Sequence, residues 1–193
     1  MPSTFVNRLL FAALALACAL VAVPSAMAQT PSSSTSGGGA AFQPPPPPPA
    51  KAKLVDGRLL APASAPTRIK RVIAAANQIV EKPYIYGGGH RPYRRGQLDR
   101  GYDCSGSVSH ALHGGGFLRS PLPSGALMSW GRRGPGTWLT VYADGGHAYL
   151  VVAGFRFDTS MHDSDAPGPA TGPRWSKTLR RSSAFVARHP SGY

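Results

Sequence analysis

Cys104 stands in the run Tyr102-Asp103-Cys104-Ser105-Gly106, between glycines 87–89 and a short stretch of helical pattern. The chain has one other cysteine, Cys18, in an N-terminal segment with the features of an export signal, so the processed chain is expected to hold a single thiol. In an exported protein such a thiol is an inert packed group, half of an intermolecular disulfide, or a reactive nucleophile. Its surroundings favour the third. A cysteine at the first turn of a helix faces unpaired backbone N–H groups, which favour the thiolate and lower the thiol pKa. Nucleophilic amide hydrolysis also needs a base that shuttles a proton and a group that orients that base. His147 and Asp158 follow Cys104 in the chain and have the side chains for those two roles.

The elements that must bring these three together can be read from periodicity. A helix from Cys104 through about His113 puts Val108, Ala111 and Leu112 on the cysteine's face and His110 and His113 on the other. Gly114, Gly115 and Gly116 then end it. Upstream, Thr67 can cap a helix whose stripe is Ile69, Val72, Ile73, Ala76, Ile79 and Val80, with Pro83 as its stop. Downstream, residues 137–143, 147–152 and 155–159 read as strands, with a last strand near 184–188 and loop-like chain from Met161 onward. Helices first and strands afterwards imply an α+β domain with a small antiparallel sheet. If Ala153-Gly154 is a two-residue turn, cross-strand partners have numbers summing to 307. His147 then lies opposite Ser160, Tyr149 opposite Asp158, and Asp158 is a diagonal neighbour of His147. A three-residue loop would turn Asp158 to the other face. His90 and His162 fall in loops and His189 in the tail, so only His147 opens a strand against which the cysteine helix can pack.

The rest of the chain divides by composition. Arg8, the apolar run 9–23 and Ala26-Met27-Ala28 fit a cleavable secretory signal over residues 1–28, not a membrane span. A lipid anchor on Cys18 is the alternative, and Ala15-Leu16-Ala17 before it fits that poorly. Residues 29–66, with a serine cluster, three glycines and the prolines 44–49, read as a disordered tether or, alternatively, a proline-rich docking ligand. Residues 67–193 suffice for one domain. The formal charge of +13 includes Arg8 and no acidic residue before Gln29, so the processed chain carries 13 − 1 = +12. That balance favours anionic partners such as a cell-wall surface, or is simply a solvating surface; no nucleic-acid-binding motif is present. The excursion 90–100 carries Arg91, Arg94, Arg95 and Arg100, which either grip substrate carboxylates or are solvated.

The ordered set PYIYGG (83–88), YDCSG (102–106), GHAYLVV (146–152) and Asp158 resembles the NlpC family of cell-wall cysteine peptidases, small papain-like domains with helices packed on an antiparallel sheet. The resemblance spans about Arg68 to Thr159. It implies Cys104 as nucleophile, His147 as general base and Asp158 as the residue that orients it. It further implies Tyr84 beside the oxyanion site, where a core aromatic is the alternative, and Asp103 and Ser105 as contacts to the substrate's amine end, where turn and cap hydrogen bonds are the alternative. The implied activity is cleavage of peptidoglycan stem peptides between D-γ-glutamyl and a diamino acid, outside the cytoplasm at the wall, with no metal or organic cofactor. A wall-binding protein with a silent site, and a thiol amidase or acyltransferase, are the competing readings. The chain departs from the family in having Asp at a position more often His, Asn or Gln, in the arginine-rich excursion, and in the segment after Thr159, where Arg174 and Trp175 have no counterpart.

Overall fold

Ile69, Val72, Ile73 and Ala76 form the buried face of α1 (Thr67–Asn77). The computed structural model describes residues 52–94, 96–160 and 172–193. The expected signal segment and most of the expected tether lie outside these residues. α1 starts after Pro66, whose fixed φ suits a helix entrance; Thr67 is its first helical residue and its side chain makes no cap. The helix also stops earlier than Pro83. Asn77 turns its side chain out of the helix, accepting from Leu59 N–H and Trp175 Nε1 and donating to Leu59 O. Ile79 and Val80 are buried past the helix end.

Asn77 thereby ties in two elements the sequence reading did not contain. Lys53–Val55 (β1) and Arg58–Leu60 (β2) form an antiparallel hairpin whose turn, Asp56-Gly57, has positive φ at both residues. Leu59 is 1% exposed, so this hairpin, which lies inside the stretch expected to be tether, packs into the core. Alternating Leu54 and Leu59 among polar residues gave too short a pattern to stand out beside a proline run.

α2 (Cys104–Gly114) packs on α1 and on the sheet. A single-turn α3 (Ser124–Leu127) follows. The sheet has six antiparallel strands in the order β3-β8-β4-β5-β6-β7. These are β3 (Arg132–Arg133), β4 (Leu139–Ala143), β5 (Ala148–Val152), β6 (Phe155–Asp158), β7 (Arg174–Ser176) and β8 (Val186–His189). The architecture is α+β, helices on an antiparallel sheet. The β5–β6 turn has two residues, Ala153 at φ 48° and Gly154 at φ 86°, and the register pairs Leu150 with Phe157 and Val152 with Phe155, sums of 307. β7 corrects the loop reading of the C-terminal part: Trp175 is 1% exposed and packs against Phe157 with ring centroids 4.7 Å apart. No helix among the described residues is long and apolar enough to cross a membrane.

One contact sets the position of α2. A Cβ on Gly106 would lie 2.0 Å from the carbonyl oxygen of Gly88, which also accepts the Asp103 N–H at 3.1 Å. Only a residue without a side chain lets the first helical turn lie this close to the 87–89 loop. Gly106→Ala is expected to lower unfolding free energy by about 3 kcal/mol, through overpacking against backbone that has nowhere to move. A denaturant midpoint shared with the unaltered protein would show that the loop yields.

Candidate active site

Asp103 starts α2. Its extended backbone and its Oδ1, which accepts the Gly106 N–H at 2.7 Å, make it the N-cap, and Oδ2 takes the Gly87 N–H at 3.0 Å. The next residue, Cys104, therefore sits at the helix's positive end with its thiol 8% exposed. α2 lies on β5 and β6, so the sulfur meets the residue that precedes β5. That residue is His147. Its backbone N–H is held by Asp144 Oδ1 at 2.7 Å, and its ring stands close enough to the Cys104 sulfur to favour the thiolate.

The two-residue turn puts Asp158 where the register requires. His147 Nε2 donates to Asp158 Oδ1 at 2.8 Å, and the Asp158 side chain is wholly buried. With Nε2 committed, Nδ1 is the ring nitrogen left for the sulfur. Ser160 donates its backbone N–H to Asp158 Oδ1 at 3.0 Å, and its hydroxyl lies 3.3 Å from His147 Nε2. Arg180 donates to that hydroxyl at 2.8 Å and stands 3.7 Å from Asp158 Oδ2, as does Arg156. The carboxylate is thus buried beside cations, which keeps it ionised.

The electrostatics follow from these contacts. Burial pushes the Cys104 thiol up, but the His147 hydrogen bond, the Ala148 N–H and the imidazolium charge outweigh it and bring the pKa below 9.0. Burial opposes the charge on His147 as well; Asp158 and the sulfur overcome it and raise the imidazole to about 9. For Asp158, burial is again offset, by His147 first and then Ser160 N–H and Arg156, and its pKa is lowered. Each shift favours the charged member, the thiolate of Cys104 and the imidazolium of His147. This arrangement can attack a carbonyl carbon and deliver a proton to the leaving group.

The other residues singled out by sequence fall around this group. Tyr84 forms an isolated parallel bridge with Tyr102, the residue two before the nucleophile, and is 40% exposed, so it is not a core aromatic. Its phenol pKa is raised by burial and then by the charges of Cys104 and Asp103, which places it within electrostatic reach of the sulfur. Asp103 and Ser105 are buried and engaged with each other, Ser105 Oγ donating to Asp103 Oδ1 at 3.2 Å. His90, read as a loop residue, in fact joins them: its Nε2 lies 3.0 Å from Asp103 Oδ1 and 3.1 Å from Ser105 Oγ. The glycines before it supply the missing signal, since Gly89 at φ 84° turns the chain back toward α2. Ser160 was already opposite His147 in the predicted register, whereas nothing in the sequence marks Arg180. His110 packs edge-on to Tyr102 and His113 stacks on Tyr93, both behind the helix, as helical spacing requires.

No family model matches the chain, and no curated protein matches it. Solved structures do. Two are forms of the Resuscitation Promoting Factor Interacting protein RipA, one mutated at a cysteine and one at a histidine, each 20% identical. Their TM-scores are 0.44 and 0.43 over 63% of this chain and 62% of theirs. A third is Rv1477, a hypothetical invasion protein of Mycobacterium tuberculosis, 21% identical with a TM-score of 0.42 over 63% of this chain and 61% of that one. The chain thus spans about three-fifths of the length of the structures it matches.

The ion pair makes a prediction about pH. Alkylation of Cys104 by iodoacetamide needs only the thiolate, so its rate should rise with a midpoint below pH 9 and then level off without falling. Hydrolysis needs the imidazolium too and should fall above about pH 9, where His147 loses its proton. The two apparent values belong to the pair jointly. Asp158→Asn removes the charge that raises His147, so the alkaline limb should move toward 6.5 and the alkylation curve toward higher pH. An alkylation profile centred at the ordinary thiol value in the unaltered protein would dispose of the ion pair.

Proposed function

We propose that the chain is an exported cysteine peptidase that hydrolyses an amide bond in peptidoglycan stem peptides. The observation that carries this reading is the buried chain of contacts from Cys104 through His147 to Asp158, at the N-terminus of one helix and the facing ends of two strands. The thiolate adds to the carbonyl, the Cys104 backbone N–H and Tyr84 receive the developing oxyanion, and the His147 imidazolium protonates the departing amine. Water, deprotonated by His147, then releases the acyl group and restores the thiolate. Neither step calls for a group from outside the chain other than water.

The substrate class rests on the sequence resemblance and on the charge. A surface at +12 is drawn to the carboxylates and phosphates of a cell wall, and Tyr84, Ile85 and Tyr86 form an exposed apolar strip beside the nucleophile. The bond assigned is the one between D-γ-glutamyl and the diamino acid. Incubation with L-alanyl-γ-D-glutamyl-meso-diaminopimelate, with and without an added amine acceptor, followed by mass spectrometry, tests it. The expected products are the dipeptide and the free diamino acid. A dipeptide joined to the acceptor would make the chain an acyltransferase, and an intact substrate with retained sacculus binding would leave a wall-binding protein.

A further inference from the structure

A second site lies behind α2, on the face that turns His110 and His113 away from Cys104. There a cleft of about 780 Å³ opens between the two helices and residues Tyr93, Arg94, Gly96, Gln97 and Leu98 of the excursion. Its size is that of a small-ligand pocket. Three guanidinium groups stand around it from three different segments: Arg71 on α1, Arg94 on the excursion and Arg119 after α2. All three are exposed, and among the described residues none has a carboxylate partner; no acidic residue lines the cleft. The contrast with Arg91 is informative, because that arginine of the same excursion is ion-paired with Asp99. Arg91 is neutralised within the chain, whereas Arg94 has no carboxylate partner among the described residues.

The cleft is also built to stay open to an anion. Tyr93 stacks on His113 with ring centroids 3.7 Å apart and planes at 14°, which fastens the excursion to α2 as a wall. His113 Nδ1 donates to Leu118 O at 2.9 Å, which fixes the ring against Tyr93. The C-terminal end of a helix ordinarily repels anions, yet here three of its last carbonyls are taken: Ala111 O, Leu112 O and His113 O accept from Gly115, Phe117 and Gly116 N–H, and Arg68 donates to Gly115 O and Gly116 O just beyond. Leu98 and the small residues of α1 give the floor an apolar character.

We infer that this cleft binds an organic anion carrying at least two negative charges on a sugar or aliphatic body, through Arg71, Arg94 and Arg119. Phosphates and carboxylates share that chemistry, since a guanidinium pairs with either in a two-pronged fashion. The site is separate from Cys104, and the inference does not depend on the proposed hydrolysis.

The test is a titration of the full chain with fructose 1,6-bisphosphate, with citrate, and with glucose as an uncharged control, followed by NMR at the His113 ring and the Leu98 methyl groups. Saturable shifts at both residues are expected with one or both anions and none with glucose. Binding of the bisphosphate alone identifies a phosphate ligand; binding of citrate alone, a carboxylate. The Arg71→Ser/Arg119→Ser double variant should raise Kd at least tenfold while iodoacetamide still alkylates Cys104 at the unaltered rate, which also reports that the fold is retained. Shifts scattered over the basic surface without saturation, or equal binding by the folded double variant, would overturn the site. Neither result bears on hydrolysis, which is read separately by product mass.

Discussion

Cys104→Ala is expected to reduce stem-peptide cleavage by about four orders of magnitude or more, since no acyl-enzyme can form without the sulfur. The fold should survive. The thiol is small and lies at the start of a helix whose cap is Asp103 rather than Cys104. Stability should therefore change by less than about 1 kcal/mol. Cys104→Ser is the sharper variant because it keeps the shape. A serine hydroxyl does not ionise in this pH range, so the variant has no resting anion to attack with and should be nearly as inactive as the alanine one. Either protein, folded and still releasing the dipeptide at the original rate, would take the nucleophile's role from Cys104.

Much of this site was open to sequence reading because its geometry is local at each step. Cys104 is placed by the helix it begins, and the His147–Asp158 contact by a two-residue turn whose parity leaves one face for both. Such relations need only periodicity and turn chemistry. What escaped needed contacts between distant segments. The hairpin of β1 and β2 is short and survives because Leu59 enters the core and Asn77 bonds its backbone, 18 residues later. β7 carries two polar residues and one tryptophan, a pattern that says little until Phe157 is known to lie beside it. His90 looked like part of a polar loop, yet the close approach of Gly106 to Gly88 draws that loop against α2 and brings the imidazole onto Asp103 and Ser105. These two residues, assigned by resemblance to a substrate amine, have hydrogen-bond partners in the chain itself. The substrate role would require an amine to compete with His90.

His147→Ala should have the second largest effect, and on three quantities at once. Cleavage is expected to fall by about 10³-fold or more, through loss of both the proton donor and the cation that holds the thiolate. Cys104 would then feel burial without its main counterweight, so its pKa rises and alkylation at neutral pH slows. Stability should drop by about 1 to 3 kcal/mol, because the wholly buried Asp158 loses its closest donor and keeps only Ser160 and two arginines at 3.7 Å. The sign of the pH dependence separates this from simple loss of packing. The raised imidazole stabilises the fold fully below its ordinary 6.5 and loses that contribution as pH climbs through about 9. The lowered carboxylate contributes above its ordinary 3.8 and loses its contribution as acid protonates it. The gap in unfolding free energy between the two proteins should accordingly be widest between those ordinary values, 3.8 and 6.5, and narrow on either side. A gap that is the same at every pH would assign His147 a packing role only, and an alkylation rate untouched by the substitution would separate it from Cys104 altogether.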